Sequence, residues 1–184
     1  MIAAPLPQDE ALRLLALQGH KLLDTAPEAF FDHVVELAAA HFKVPIALVS
    51  LIDSDRQWFK AKCGLDAVES CREHAFCAHA ILDPEIFEVT DARLDERFHD
   101  NPFVTEAPHI RFYAGCPIAD DHGHYLGTLC IIDREPRRLT EDERTILHLM
   151  AKLVSDHIQL RDLLNTLVGE PKSHPTPTPT PDPE

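Results

Sequence analysis

The rhythm of apolar and polar positions changes several times along this chain, and each change marks an element. Over residues 10–23, Leu12, Leu15, Leu22 and Leu23 recur at near-helical spacing, with Gly19 as a weak point. Thr25 and Glu28 are spaced as a capping box, with Pro27 in a tolerated first-turn position. The helix predicted over 27–42 places Phe31, Val34, Val35, Ala38 and Phe42 on one face. Pro45 opens an unbroken apolar run over 46–52, the pattern of a buried strand. Asp53-Ser54-Asp55 turns into residues 56–63, whose alternation predicts a strand with one wet face.

Residues 77–82 read as a short helix stopped by Asp83-Pro84, and residues 86–89 as a short strand. Residues 91–105 form a long connection with little regular pattern, the kind that serves as a binding loop or lid. An apolar strand from Arg111 follows, then the turn Asp120-Asp121-His122-Gly123, then a second apolar strand. Thr140 and Glu143 form a capping box at the start of the last helix. Along that helix Ile146, Leu149, Leu153, Leu160, Leu163 and Leu167 repeat in a three-four rhythm, interrupted by Asp156. Such a seam packs along another helix, so a homodimer is expected.

The tail from 169 to 184 has proline at alternate positions and is expected to be an extended, disordered Pro/Thr-rich segment. The division predicted is a helical segment over 1–21, one folded domain over 22–168, and that tail.

Composition narrows the functional classes. The chain has 184 residues with 45% hydrophobic and 26% charged content, enough for one packed domain. A net charge of −14 argues against unaided binding to nucleic acid or anionic membrane. No apolar run approaches the ~20 residues that span a bilayer, and no basic leader opens the chain, so a cytoplasmic protein is expected. Five cysteines, an odd number, fit reduced thiols better than a disulfide framework.

Several segments in order resemble a known family. LLDTAPEAFFDHVVELAAAHFKVPIALVSLIDSDRQWFKAKCGL is followed by FCAHAI, VTDARLDERFHDNPFV, AGCPI and LGTLCIID, over roughly residues 22–161. In this order they resemble the GAF domains of bacterial signalling proteins. The resemblance implies a GAF-like α/β (α+β) fold: a central antiparallel sheet, helices on one face, and a loop-covered ligand pocket on the other. It also implies a non-catalytic sensory module that binds a small molecule and signals through its terminal helices. Relatives usually carry an output module on the same chain, and here the last helix runs into the Pro/Thr tail. Two expectations follow: action on a separate signalling protein, or an interaction domain that has lost its ligand.

Cys71, His74, Cys77 and His79 form C-x2-H-x2-C-x-H, with soft ligands that suit zinc. The spacing matches no common zinc module, and no bound metal is expected. Cys77 near a helix start supports an alternative, a thiol redox sensor or small redox enzyme. The chain resembles free methionine sulfoxide reductases around Cys77 and Asp91, but the loop over 101–110 lacks their reducing cysteine. It also lacks the Cys-His pair of bilin-binding relatives and the signature of cyclic-nucleotide-binding ones. The cofactor is unknown at this level. The ligand-binding residues expected from the resemblance and the loop are Cys77, Asp91, Phe98, Phe103, Arg111 and Tyr113. An inward Arg111 would select an anionic ligand, and an ion pair with Asp91 or Asp95 is the alternative.

Overall fold

The computed structural model describes residues 1–169. The expectation for the tail from 169 onward falls almost wholly outside the described residues. The elements are α1 (Glu10–Gly19), α2 (Ala29–Phe42), β1 (Ile46–Ile52), β2 (Arg56–Cys63), β3 (Glu69–Cys71), α3 (Phe76–Ala80), β4 (Phe87–Val89), α4 (Pro102–Thr105), β5 (Phe112–Ala119), β6 (Tyr125–Asp133) and α5 (Glu141–Gly169). The six strands form one antiparallel sheet in the order β3-β2-β1-β6-β5-β4. This is the α/β architecture expected.

Strand alternation divides the interior into two cores. Ala47, Val49 and Leu51 of β1, with Phe112, Ala114 and Cys116 of β5, join Leu17 of α1, Phe31 and Val35 of α2, and Leu147 and Val154 of α5. Ile46, Leu48 and Ile52, with Tyr113, Cys130 and Ile132, face the other way against α3 and the 91–110 segment. One face thus carries the long helices and the other carries α3 and the loop. Period-two alternation makes each central strand contribute to both sides.

The second face of β2 is a correction to the sequence reading. Both faces are covered, so Gln57 and Lys60 are buried instead of wet. Lys60 Nζ is compensated by Glu28 at 2.7 Å, Thr25 Oγ1 at 2.7 Å and the Ala26 carbonyl at 2.9 Å. Thr25 and Glu28 are consumed there, and they do not cap α2: Thr25 Oγ1 donates to the Leu22 carbonyl, and the helix begins at Ala29 without a side-chain cap. The Thr140–Glu143 capping box does form, with reciprocal bonds of 3.2 and 2.8 Å. In the β5–β6 turn Gly123 takes a φ of 86°, where a side chain is disfavoured.

The terminal helices also differ from expectation. In α1 the buried face is Arg13 and Leu17, while Leu12 and Leu15 point to solvent. Arg13 is held by the Glu10 carboxylate at 2.7 and 2.9 Å. In α5 the inner face is Leu147, Met150, Ala151, Val154 and Ile158. Of the predicted seam, Ile146 packs against the helix-side core, and Leu149, Leu153, Leu160, Leu163 and Leu167 form a second, outer stripe that is 53–73% exposed.

Candidate functional site

Between the sheet and the α3/loop layer lies a cavity of about 210 Å³. Its wall is mainly apolar: Ile46 and Leu48 of β1, Phe59 of β2, Phe76 and Cys77 of α3, Phe103 of α4 and Tyr113 of β5. No Lys, Arg or His lines it among the described residues. Three polar side chains break the apolar surface: Gln57, Ser70 and Glu69, whose carboxylate is paired with Arg56 at 2.8 Å. Gln57 Oε1 and Ser70 Oγ are buried with no hydrogen-bond partner among the described residues. Gln57 and Ser70 are paired across the β2–β3 ladder, so both belong to one end of the cavity. Leaving a buried carbonyl unpaired costs about 1–3 kcal/mol, so such atoms are rare without a purpose.

The floor is a compact polar cluster. Tyr113 Oη donates to Cys77 Sγ at 3.2 Å, and Cys77 Sγ lies 3.8 Å from Cys130 Sγ. Ser50 and Thr128, paired across β1–β6, bring their hydroxyls to 3.2 Å beside them. The Tyr113 ring reaches this position by lying over Gly115, where a Cβ would meet Oη at 2.1 Å. Burial opposes ionisation of Cys77, but hydrogen bonds from Cys130, Ser50, Thr128 and Tyr113 outweigh it. They bring the thiol down from 9.0 to about 7. Burial and the neighbouring Cys77 push Cys130 well up. Tyr113 is likewise held neutral, first by burial and then by the adjacent thiols.

The six expected ligand residues are not all brought together. Cys77, Phe103 and Tyr113 line the cavity. Phe98 sits behind it, stacked on Phe76 with ring centroids 3.9 Å apart. Arg111 lies outside the lining, and its guanidinium donates to the carbonyls of Val104 and Ile110 at 2.9 and 3.0 Å. It therefore braces the loop, neither lining the cavity nor making the alternative pairing with Asp91 or Asp95. Asp91 is also outside the lining. Its carboxylate accepts from the Arg93 amide at 3.1 Å and from the Arg93 guanidinium at 3.0 and 2.7 Å, which holds its pKa below the ordinary 3.8. Asp95 repeats the arrangement with Arg97.

Residues the sequence reading passed over are Gln57, Ser70, Cys130 and Asn101. Gln57 was visible as a polar residue of the same parity as Phe59 in a short strand, a signal that needed the second face to be recognised as buried. Asn101 is fully buried, donates to the His74 carbonyl at 3.0 Å and accepts the Phe103 amide at 2.9 Å. It fixes α4 so that Phe103 closes the cavity. Of the C-x2-H-x2-C-x-H run, Cys71 is exposed, Cys77 is buried, and His79 bonds to the Ile2 carbonyl at 3.1 Å. These residues do not converge, and no group of three or more His, Cys, Asp or Glu fit to hold a metal occurs among the described residues.

The sequence profile of the GAF domain matches residues 26–158. The chain belongs to the GAF domain family. It is 45% identical over 159 residues to a cyclic di-GMP phosphodiesterase of Pseudomonas aeruginosa, an alignment covering 86% of this chain and 27% of that protein. The chain thus spans only about a quarter of that relative's length. Among solved structures, the GAF domain of an Acinetobacter phosphoenolpyruvate-protein phosphotransferase is similar with a TM-score of 0.60 at 18% identity, over 84% of this chain and 98% of that one. A free methionine-R-sulfoxide reductase from Neisseria meningitidis superimposes with a TM-score of 0.62 at 16% identity, over 89% and 99%. Both likenesses are in the fold. No helix among the described residues is long and apolar enough to cross a membrane.

Proposed function

We propose that this GAF domain is a non-catalytic sensory module whose ligand occupies the cavity between β1, β2, α3 and α4. GAF family membership supports a sensory or regulatory role. The observation that carries the ligand reading is the pair of unpartnered buried polar atoms, Gln57 Oε1 and Ser70 Oγ, in a mainly apolar cavity. Ligand sites have this composition: a mainly apolar wall with a few polar groups that fix orientation. The volume corresponds to about seven waters at ~30 Å³ each, so the ligand is small. Gln57 Oε1 calls for a hydrogen-bond donor; the lining holds no cation among the described residues and its carboxylate, Glu69, is already paired with Arg56, which argues for an uncharged molecule. The cyclic dinucleotide named for the Pseudomonas aeruginosa relative carries two phosphates, which this lining would leave uncompensated. That relative's activity is not assigned to this domain.

The signal would leave through α5. Its outer leucine stripe runs past the last buried residue, Ile158, and is built to meet a second copy of the same helix. A ligand that changes the β1–β5–β6 surface would shift the population of two helix-pair arrangements, provided it binds one better than the other.

The test is native mass spectrometry of the protein for a retained small molecule, followed by a thermal-shift screen of small neutral compounds. Ala75, which lines the cavity, is replaced by leucine as the control. A compound that stabilises the native protein but not Ala75→Leu supports the cavity as the site. Equal stabilisation of both places the ligand elsewhere and overturns the reading.

A further inference from the structure

The cavity floor holds a second kind of chemistry that ligand binding does not require. Cys77 and Cys130 come from α3 and the middle of β6, 53 positions apart in sequence, yet their sulfurs are 3.8 Å apart. A disulfide needs about 2.05 Å, so closing the pair asks for about 1.8 Å of combined side-chain movement. Cys77 is a wall residue of the cavity that a small molecule would enter, whereas Cys130 is fully buried and does not line it. The remaining cysteines are placed differently. Cys71 is exposed, Cys63 is half-buried, and Cys116 belongs to the core on the helix side, where burial, with Glu85 adding to it, pushes its thiol up to about 12.

We propose that Cys77 and Cys130 form a hydroperoxide-reactive thiol pair, with Cys77 as the attacking thiol and Cys130 as the resolving one. The two sulfurs differ in the way this division of labour needs. Tyr113 Oη donates to Cys77 Sγ, and Ser50 and Thr128 add hydroxyl donors, so a negative charge on Cys77 has partners already in place. Cys130 keeps its proton, which it donates toward a Cys77 thiolate. Nucleophilicity resides in the thiolate, and a pKa near the ambient pH suits attack.

The chemistry closes without any other component. The Cys77 thiolate attacks one oxygen of the hydroperoxide. An S–O bond forms, the O–O bond breaks, and the second oxygen leaves as an alcohol or water, taking the proton the thiol gave up. Cys77 is then a sulfenic acid. Cys130 sulfur attacks the Cys77 sulfur, the S–S bond forms, the S–O bond breaks, and water leaves with the Cys130 proton. Two thiols have lost two electrons, and the peroxide has gained them. The disulfide would draw α3 toward β6 across the cavity floor and remove the acceptor of Tyr113 Oη.

The experiment treats the fully reduced protein with one equivalent of hydrogen peroxide and maps the products by mass spectrometry without reduction. The expected result is a loss of about 2 Da, two of the five thiols consumed, and a cross-linked peptide pair containing Cys77 and Cys130. Dithiothreitol restores all five. In Cys130→Ala the sulfenic acid persists on Cys77 and is captured by dimedone, and in Cys77→Ala neither product forms. Should either variant fail to fold, the wild-type peptide map still decides the matter. Oxidation confined to Cys63 or Cys71, with Cys77 and Cys130 both reduced, overturns the proposal. So does overoxidation of Cys77 without the cross-link.

Discussion

Replacing Gln57 by leucine separates a residue kept for the fold from one kept for a ligand. Gln57 is 6% exposed, and its Oε1 has no partner among the described residues. A buried unpaired carbonyl costs about 1–3 kcal/mol, and leucine of similar bulk removes it while adding apolar surface to an apolar wall. Gln57→Leu should therefore stabilise the unliganded domain by about 1–3 kcal/mol. At roughly 2–4 °C per kcal/mol for a domain of this size, the melting temperature should rise by about 2–12 °C. The same change leaves a ligand's donor facing carbon, so binding of any compound found in the screen should weaken by about 5- to 150-fold. Differential scanning fluorimetry with and without the compound reads both effects. A melting temperature at or below that of the native protein would show that Oε1 is satisfied and would refute the reasoning.

Three further outcomes follow from named contacts. Gly115→Ala places a Cβ 2.1 Å from Tyr113 Oη, so the ring must leave its place; chemical denaturation should show a loss of about 1–3 kcal/mol, and near-ultraviolet dichroism should report the displaced tyrosine. Burial, which dominates for both His79 and His157, holds their folded imidazoles below the ordinary 6.5, so the unfolded chain binds more protons as the pH approaches that value. Their contribution is complete above about 6.5 and is lost as the pH falls through the lowered values, so the urea midpoint should drop from pH 7.5 to 5.5, and a flat profile would contradict this. Leu160→Glu with Leu163→Glu puts charge on the outer stripe without touching the inner face of α5, so light scattering should show a dimer for the native protein and a monomer for the double variant. A native monomer at high concentration would remove the helix-pair output.

The fold was legible because its signals are local. The 46–52 run, the Asp120–Gly123 turn and the Thr140–Glu143 box each declare an element within a few residues, and each is present. The errors arose where a residue's role depended on what lay across from it. Thr25 and Glu28 have capping-box spacing, but the buried Lys60 needs them more. Leu12 and Leu15 have helical spacing, but the sheet takes Arg13 and Leu17 instead. The site was legible only in part for the same reason. Cys77, Phe103 and Tyr113 lie in segments whose family resemblance marks a pocket. Arg111 and Asp91 look like ligand residues by type, yet each is satisfied within its own loop, by carbonyls in one case and by Arg93 in the other. Gln57 and Cys130 looked like ordinary strand residues, because nothing in one sequence says which parity faces a cavity.

The two-sided use of each strand also explains how a cavity closed off from α5 can act on it. Tyr113 and Phe112 are neighbours in β5, one in the cavity wall and one in the helix-side core. The next residues on the helix side touch α5 directly: Cys116 Sγ is 3.7 Å from His148 Nδ1, and the Ala119 amide donates to Ser155 Oγ at 3.2 Å. The β5–β6 turn carries Asp120, which lies 4.0 Å from His20, and His20 is in turn bonded to Asp162 about three-quarters of the way along α5. A packed strand cannot absorb a shift on one face without moving its other face, since interiors have little free volume. On the proposed reading, displacement of Tyr113, by a ligand on its cavity side or by a disulfide beneath it, would reach α5 at His148, Ser155 and Asp162. His148 and Ser155 are two turns apart and Asp162 lies two turns further on, so a push at these points would tilt the outer leucine stripe. A stripe that tilts presents a different set of leucines to a second helix, and that difference is the differential affinity a two-state output requires.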